Sequence, residues 1–290
     1  MAILVTGSTG TIGSQVLSFL DPKAVEIRAL TRTPEKANFP AGVIPVKGDL
    51  SDVDGFRAAL DGVSTLFLLG ANVADESTQV LLALNAARDA GVKGVVYLSV
   101  FKAEDYADLP HFASKAAVER MIEAYDLPVT VLRPAYFMQN DVRLQEALLT
   151  YGTYGMPIGN KGISMVDIRD IGEAAARELM RREVADRPLP RAAHDLVGPD
   201  ALTGSDLATL WGEVLERPIV YGGDDAEALE QRLKAFAPAW YAYDLKLMMR
   251  RYQQEGAVAS AAQLAGMEAL LGRPARTYRD FATATAASWK

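Results

Sequence analysis

"LVTGSTGTIGSQVL", Leu4 to Leu17, decides the fold. An apolar run that reads as a strand breaks at Gly7 and gives way, after Gly10 and Gly13, to helical spacing. Gly7 permits a tight turn, Gly10 lets the backbone approach a pyrophosphate, and Gly13 lets the helix pack close to the strand. Backbone N–H groups at the helix start would face the phosphates, helped by the helix dipole. A lone glycine pattern is weak. Here it follows the first strand and opens the first helix of a repeating array, and that context gives it force.

The array continues outward from that stretch. Residues 2–6, 25–30, 42–46, 64–69, 94–99 and 129–134 read as strands apolar on both faces, and helix-length segments such as "ESTQVLLALNAARDAG" lie between them. Such alternation predicts an α/β fold, a Rossmann-type doubly wound parallel sheet. The expected dinucleotide-binding core covers 1–135, with segments around 163–200 returning to it. Residues 136–290 are expected to form a smaller, mostly helical substrate lobe, with helices over "TGSDLATLWGEVLE", "DAEALEQRLKAF", "AWYAYDLKLMMRRYQQ" and "ASAAQLAGMEALLG". Open sheets of this kind bind ligands at the carboxyl ends of their strands.

Composition narrows the chemistry. The 290 residues include no cysteine and two histidines, which excludes thiol catalysis and cysteine-ligated metal and argues against a histidine-rich metal site. A net charge of −7 disfavours a nucleic-acid footprint, and "MMRRYQQ" reads as a solvated helix end. No apolar run is long enough for a bilayer, and the N-terminus enters a strand without a basic leader. A soluble, cytoplasmic protein with no membrane partner is expected.

The second strand predicts which dinucleotide. "VEIRALTRTPEK" carries Ala29, Leu30 and Thr31 where an NAD site places its carboxylate, then Arg32 and Lys36. Arg32 offers a planar fork to a 2′-phosphate, whereas Lys36 reads as a surface charge. NADP(H) is therefore preferred over NAD(H). Asp49 in "GDLSD" reads either as a partner of the adenine amino group or as a turn or N-cap residue. Gly7, Thr9, Gly10, Thr11, Ile12 and Gly13 are the expected pyrophosphate site, with Leu50, Leu69, Gly70, Pro134 and Tyr136 as further cofactor contacts.

These residues resemble the NmrA-like group of atypical short-chain dehydrogenases/reductases. "GSTGTIG" is similar to that family's glycine motif and "LTRTPEK" to its NADP-selecting segment. "HFASKAAVERMIEAYDLPVTVLRPAYFMQN", "VDIRDIGEAAARELM" and "LLGRPARTYRDFATATAASW" resemble its later landmarks, so the resemblance covers nearly the whole chain. It implies one of three kinds of protein: reductases of quinones and dyes, reductases of phenylpropanoid ethers, or NADP(H)-binding regulators without catalysis. Dimerisation through helices flanking the sheet is a further implication.

Typical short-chain dehydrogenases carry Tyr-x-x-x-Lys, and "HFASK" keeps the spacing with His111 in the tyrosine's place. By resemblance Lys115 binds the nicotinamide ribose and puts positive charge near the reactive ring. His111 has a pKa near working pH and is a candidate acid or substrate ligand, or simply a helix-start residue. The family's serine has no clear equivalent, because Ser99 ends its strand and Val100 and Phe101 follow. His194 reads as structural. Hydride transfer to a quinone, enone or cationic dye needs less help from the protein, since conjugation or charge stabilises the product. "PAYFMQN" would begin an apolar pocket through Tyr136, Phe137 and Met138, with Asn140 as a directional amide; core packing is the rival reading for Phe137 and Met138. Tyr106, Trp240, Tyr241 and Tyr243 are lid or wall candidates, or helix packing.

The expected function is an NADPH-dependent reductase acting on a small apolar conjugated acceptor. Its rival is an NADP(H)-sensing regulator with a protein partner, and a nucleotide-sugar epimerase or dehydratase is least favoured because the tyrosine is missing.

Overall fold

The computed structural model describes residues 2–289. The chain divides into two compact units: residues 1–104, 112–133 and 168–195 form the first, and 105–111, 134–167 and 196–290 the second.

The first unit holds β1 (Ala2–Val5), α1 (Thr11–Phe19), β2 (Glu26–Thr31), β3 (Val43–Lys47), α2 (Val53–Ala59), β4 (Val63–Leu68), α3 (Glu76–Asp89) and β5 (Gly94–Leu98). Next come α4 (Pro110–Ala124), whose first two residues group with the second unit, and β6 (Val129–Pro134). A seven-stranded sheet runs β3-β2-β1-β4-β5-β6 and ends on β8 (Ala192–Leu196), with parallel pairing from β3 through β6. Central strands β1, β4 and β5 are buried along their whole length, as a sheet covered on both faces requires, whereas edge strand β3 is largely exposed. The strand order reverses between β1 and β4, so the crevice opens where the glycine loop leaves β1. Thr6 fastens the two strand ends there: its Oγ1 accepts from the Leu69 N–H at 2.7 Å and donates to the Leu69 carbonyl at 3.0 Å.

Helix α6 (Ile168–Glu183) returns to this unit and packs on α1. A Cβ at Gly172 would lie 2.6 Å from Cβ of Gln15, so the close approach requires glycine. Buried polar pairs fix the same helix to the sheet. Glu183 accepts from Ser64 and Thr65 of β4, and Glu178 from Thr130 of β6.

Among the described residues the second unit contains a 3-10 helix (Met138–Leu144), α5 (Gln145–Leu149), the short parallel pair β7 (Thr153–Tyr154) and β9 (Val220–Tyr221), and five further α-helices. These are α7 (Gly204–Val214), α8 (Ala226–Lys234), α9 (Ala239–Glu255), α10 (Ala261–Leu271) and α11 (Tyr278–Ser288). Thr203 with Asp206, Ser260 with Gln263 and Thr277 with Asp280 close reciprocal capping boxes at the starts of α7, α10 and α11. Trp211 packs against Tyr278, Phe281 and Trp289 in the core of this unit. The basic run after Met249 is neutralised: Arg250 pairs with Glu227, and Arg251 with Asp108 and Glu255. No helix among the described residues is long and apolar enough to cross a membrane.

Candidate active site

In the first unit the glycine loop lines a groove of about 550 Å³ together with the ends of β2, β3 and β4. Gly7, with φ +59°, makes the turn, and Gly10 donates its N–H to the Gly7 carbonyl at 2.9 Å. A Cβ at Gly13 would stand 2.2 Å from that same carbonyl oxygen, so only glycine brings α1 this close. Gly10 caps α1 with no side-chain hydrogen bond, which leaves first-turn N–H groups available to an anion. Ser8 donates to the Leu30 carbonyl at 2.6 Å and ties the loop to β2. This cradle of small residues and helix-start amides fits a dinucleotide pyrophosphate.

Of the expected cofactor residues, Gly7, Thr9, Gly10, Arg32, Asp49, Leu50, Leu69 and Gly70 line the groove. Thr11, Ile12 and Gly13 form the first turn behind it. Arg32 is 82% exposed in its side chain and free to swing toward a ligand. Its Nε lies 4.0 Å from the Asp49 carboxylate, so an acidic group does approach, from the loop after β3. Asp49 makes a turn, accepting from Ser51 N–H and Oγ at 2.9 and 2.8 Å, and these bonds hold its pKa below the ordinary value. Asp52, not Asp49, caps α2.

Lys115 is buried beside the groove and is not among its lining residues. Its Nζ lies 2.5 Å from Glu76, donates to the Leu98 carbonyl at 3.2 Å and sits 5.5 Å from the Tyr97 ring centroid. Glu76 opens α3, where the helix dipole favours a carboxylate, and its side chain backs onto Gly70 in the groove wall. Ser99 donates to buried Glu119, which Arg133 clamps at 2.9 and 2.5 Å. Its hydroxyl is committed to that network.

In the second unit His111 Nδ1 contacts the buried Asp244 carboxylate on α9, and the His111 backbone N–H donates to the other oxygen at 3.4 Å. Asp244 therefore caps the start of α4 and orients the imidazole. Tyr106 is buried, donating to the Gly256 carbonyl. Met138 is core, and Phe137 pairs through its backbone with Val166.

Tyr136 and Asn140 line a cavity of about 500 Å³ within this unit, together with Tyr241. Leu144, Leu233, Phe236, Met248 and Met249 make its walls apolar, and Arg143 and Arg232 add positive charge. Phe137, Trp240 and Tyr243 are not among its lining residues. Beneath Tyr136 lies Asp141, fully buried, whose Oδ2 accepts from Tyr154 at 2.8 Å and Tyr278 at 2.6 Å. Tyr278 in turn accepts from Trp211 Nε1 at 3.0 Å. Tyr136 faces the same carboxyl, and Asn140 approaches its hydroxyl.

Burial pushes the Asp141 carboxyl up to about 6, against the tyrosine hydrogen bonds that pull it down. Between about pH 4 and pH 6 the folded chain then holds a proton that the unfolded chain has released, so this group's contribution to stability falls as pH rises through that window. The drop amounts to roughly 3 kcal/mol. Tyr136, Tyr154 and Tyr278, the titratable groups facing it, are all pushed above their usual value and stay neutral throughout. Asp141→Asn should remove that slope: urea unfolding at stepped pH should show the variant gaining on wild type from pH 4 to pH 7, and parallel curves would contradict it.

Comparison with known proteins agrees with the resemblance. The profile of the NmrA-like family matches residues 1–278. The chain belongs to the NmrA-like family. One family relative, the NAD(P)H azoreductase of Xenophilus azovorans, is 30% identical over 293 residues, covering 99% of each chain. The NADPH-dependent quinone oxidoreductase of Escherichia coli, solved with NADPH, superposes with a TM-score of 0.85 at 25% identity over 99% of this chain and 100% of that one. The triphenylmethane reductase of Citrobacter sp., solved with NADP(H), gives 0.83 at 25% identity over 98% and 99%.

Within this NmrA-like chain, sequence reading missed Glu76, Asp141, Asp244 and the cavity walls from α8 and α9 other than Tyr241. Each is an ordinary-looking residue on a helix or turn whose partner lies far away in sequence.

Proposed function

We propose that this NmrA-like chain is a cytoplasmic NADPH-dependent oxidoreductase that passes hydride to an apolar conjugated acceptor, a quinone or a dye. The glycine cradle carries this reading, because a Cβ at Gly13 would collide with the loop backbone, so only glycine lets α1 bring its first-turn amides this close to the loop. The bound dinucleotide supplies the hydride. First-turn amides hold the pyrophosphate, and Arg32 takes the 2′-phosphate. Lys115 has three N–H donors, of which Glu76 and Leu98 use two, and the third serves a ribose hydroxyl. The apolar cavity lined by Tyr136 and Asn140 orients a flat acceptor and excludes water.

The commitment of Ser99 to Glu119, and the histidine in place of tyrosine, favour a second reading as an NADP(H) sensor. NADPH consumption with quinones, enones and triphenylmethane dyes separates the two. Turnover establishes the reductase, and NADPH binding without turnover by any acceptor leaves the sensor.

Cofactor preference has its own test. A charge-assisted contact is worth about 1.5–3 kcal/mol, so Arg32→Ala should weaken NADPH binding about 10- to 100-fold and leave NADH nearly unchanged. Fluorescence titration checks this, and equal weakening of both would contradict it.

A further inference from the structure

Asp141 is a buried carboxyl for which the reductase chemistry above has no use. Its Oδ2 receives two tyrosine hydroxyls, while its Oδ1 has no hydrogen-bond partner. A buried ionised carboxylate with one oxygen unsatisfied is costly, and a proton on that oxygen turns it from an orphaned acceptor into a donor. Of the three tyrosines around it, Tyr154 and Tyr278 are spent on Oδ2 and lie outside the cavity lining, and Tyr136 lines the cavity. Asn140, on the same cavity wall, approaches the Tyr136 hydroxyl.

We infer that Tyr136 is the general acid of the reaction and that Asp141 beneath it is the proton reservoir that recharges it. The inference rests on the reductase reading. A quinone that has accepted hydride has gained two electrons and one hydrogen and is left as an oxyanion. The Tyr136 O–H bond breaks as the new O–H bond of the hydroquinone forms, and the protonated Asp141 carboxyl returns a proton to the phenolate oxygen. Asp141, now ionised, regains its proton from solvent between turnovers. Burial, which raises the Asp141 carboxyl to about 6, leaves it about half protonated at pH 6 and about a tenth protonated at pH 7. Tyr154 and Tyr278 stabilise the anion while it lasts.

Acceptor chemistry supplies an internal control. A cationic triphenylmethane dye that takes hydride becomes a neutral leuco compound and needs no proton. Loss of the acid should therefore penalise quinones specifically, whereas loss of a mere cavity wall should penalise both acceptors alike.

The test is turnover of menadione and of a cationic triphenylmethane dye by wild type, Tyr136→Phe and Asp141→Asn. A positioned acid contributes about 100-fold or more, so the quinone-to-dye ratio should fall by about that factor in Tyr136→Phe and move in the same direction in Asp141→Asn. Independently of activity, infrared spectroscopy at about pH 5, below the raised Asp141 value, should show the C=O stretch of a protonated buried carboxyl that Asp141→Asn lacks. An unchanged ratio in Tyr136→Phe, or no such band in wild type, overturns the inference while the reductase stands. Failure of wild type to reduce either acceptor, with NADPH bound, overturns both.

Discussion

Gly13→Ala should lose NADPH affinity by about 100-fold while the sheet stays folded. The added Cβ meets backbone only: the Gly7 oxygen at 2.2 Å, the Gly7 carbonyl carbon at 2.6 Å and Ser8 Cα at 2.8 Å. No side chain can yield, so the loop itself must move and the first-turn amides lose their aim. Two charge-assisted amide contacts at about 1.5 kcal/mol each give that factor. Gly266→Ala is the calibrating variant, because in α10 of the second unit its Cβ would meet nothing within 4 Å. Titration of both variants should rank Gly13→Ala far below Gly266→Ala, which should match wild type. Equal affinities would mean that the loop is not the pyrophosphate site.

The Lys115–Glu76 pair carries the second large effect. Both side chains are almost fully buried, at 11% and 6% exposure, so removing either partner strands the other's charge. Glu76→Ala and Lys115→Met should each lower unfolding stability by about 3–5 kcal/mol, and the double variant should recover much of that loss. NADPH affinity should not recover with it, because the ribose donor is gone. Denaturant unfolding and titration on the same four proteins read both quantities. Additive stability losses would show that the pair does not act as a unit.

How much of this was legible in the sequence differs by residue. The β1–α1 glycine loop and the parallel core were readable, because the turn, the close helix approach and the two-sided burial of β1, β4 and β5 each demand residue types at fixed local spacing. Arg32 was readable as a missing carboxylate, yet the nearness of Asp49 was not, since it comes from the turn after β3. The spacing of His111 and Lys115 was visible. Their partners were not: Asp244 lies 133 residues beyond His111, and Glu76 lies on a different helix from Lys115. Asp141 follows "PAYFMQN" directly and is buried where Tyr154 and Tyr278, 13 and 137 residues further along the chain, donate to it. Met248 and Met249 head a run that reads as basic and solvated, and they line the cavity.

Hydride transfer itself is open to a direct measurement. NADPH deuterated at the reactive carbon, one stereoisomer at a time, is incubated with the protein and a cationic triphenylmethane dye, and the leuco product is weighed by mass spectrometry. One stereoisomer should deliver one deuterium into the dye, as the reductase predicts. Unlabelled leuco dye from both stereoisomers, or no leuco dye while NADPH remains bound, would contradict hydride transfer from this groove.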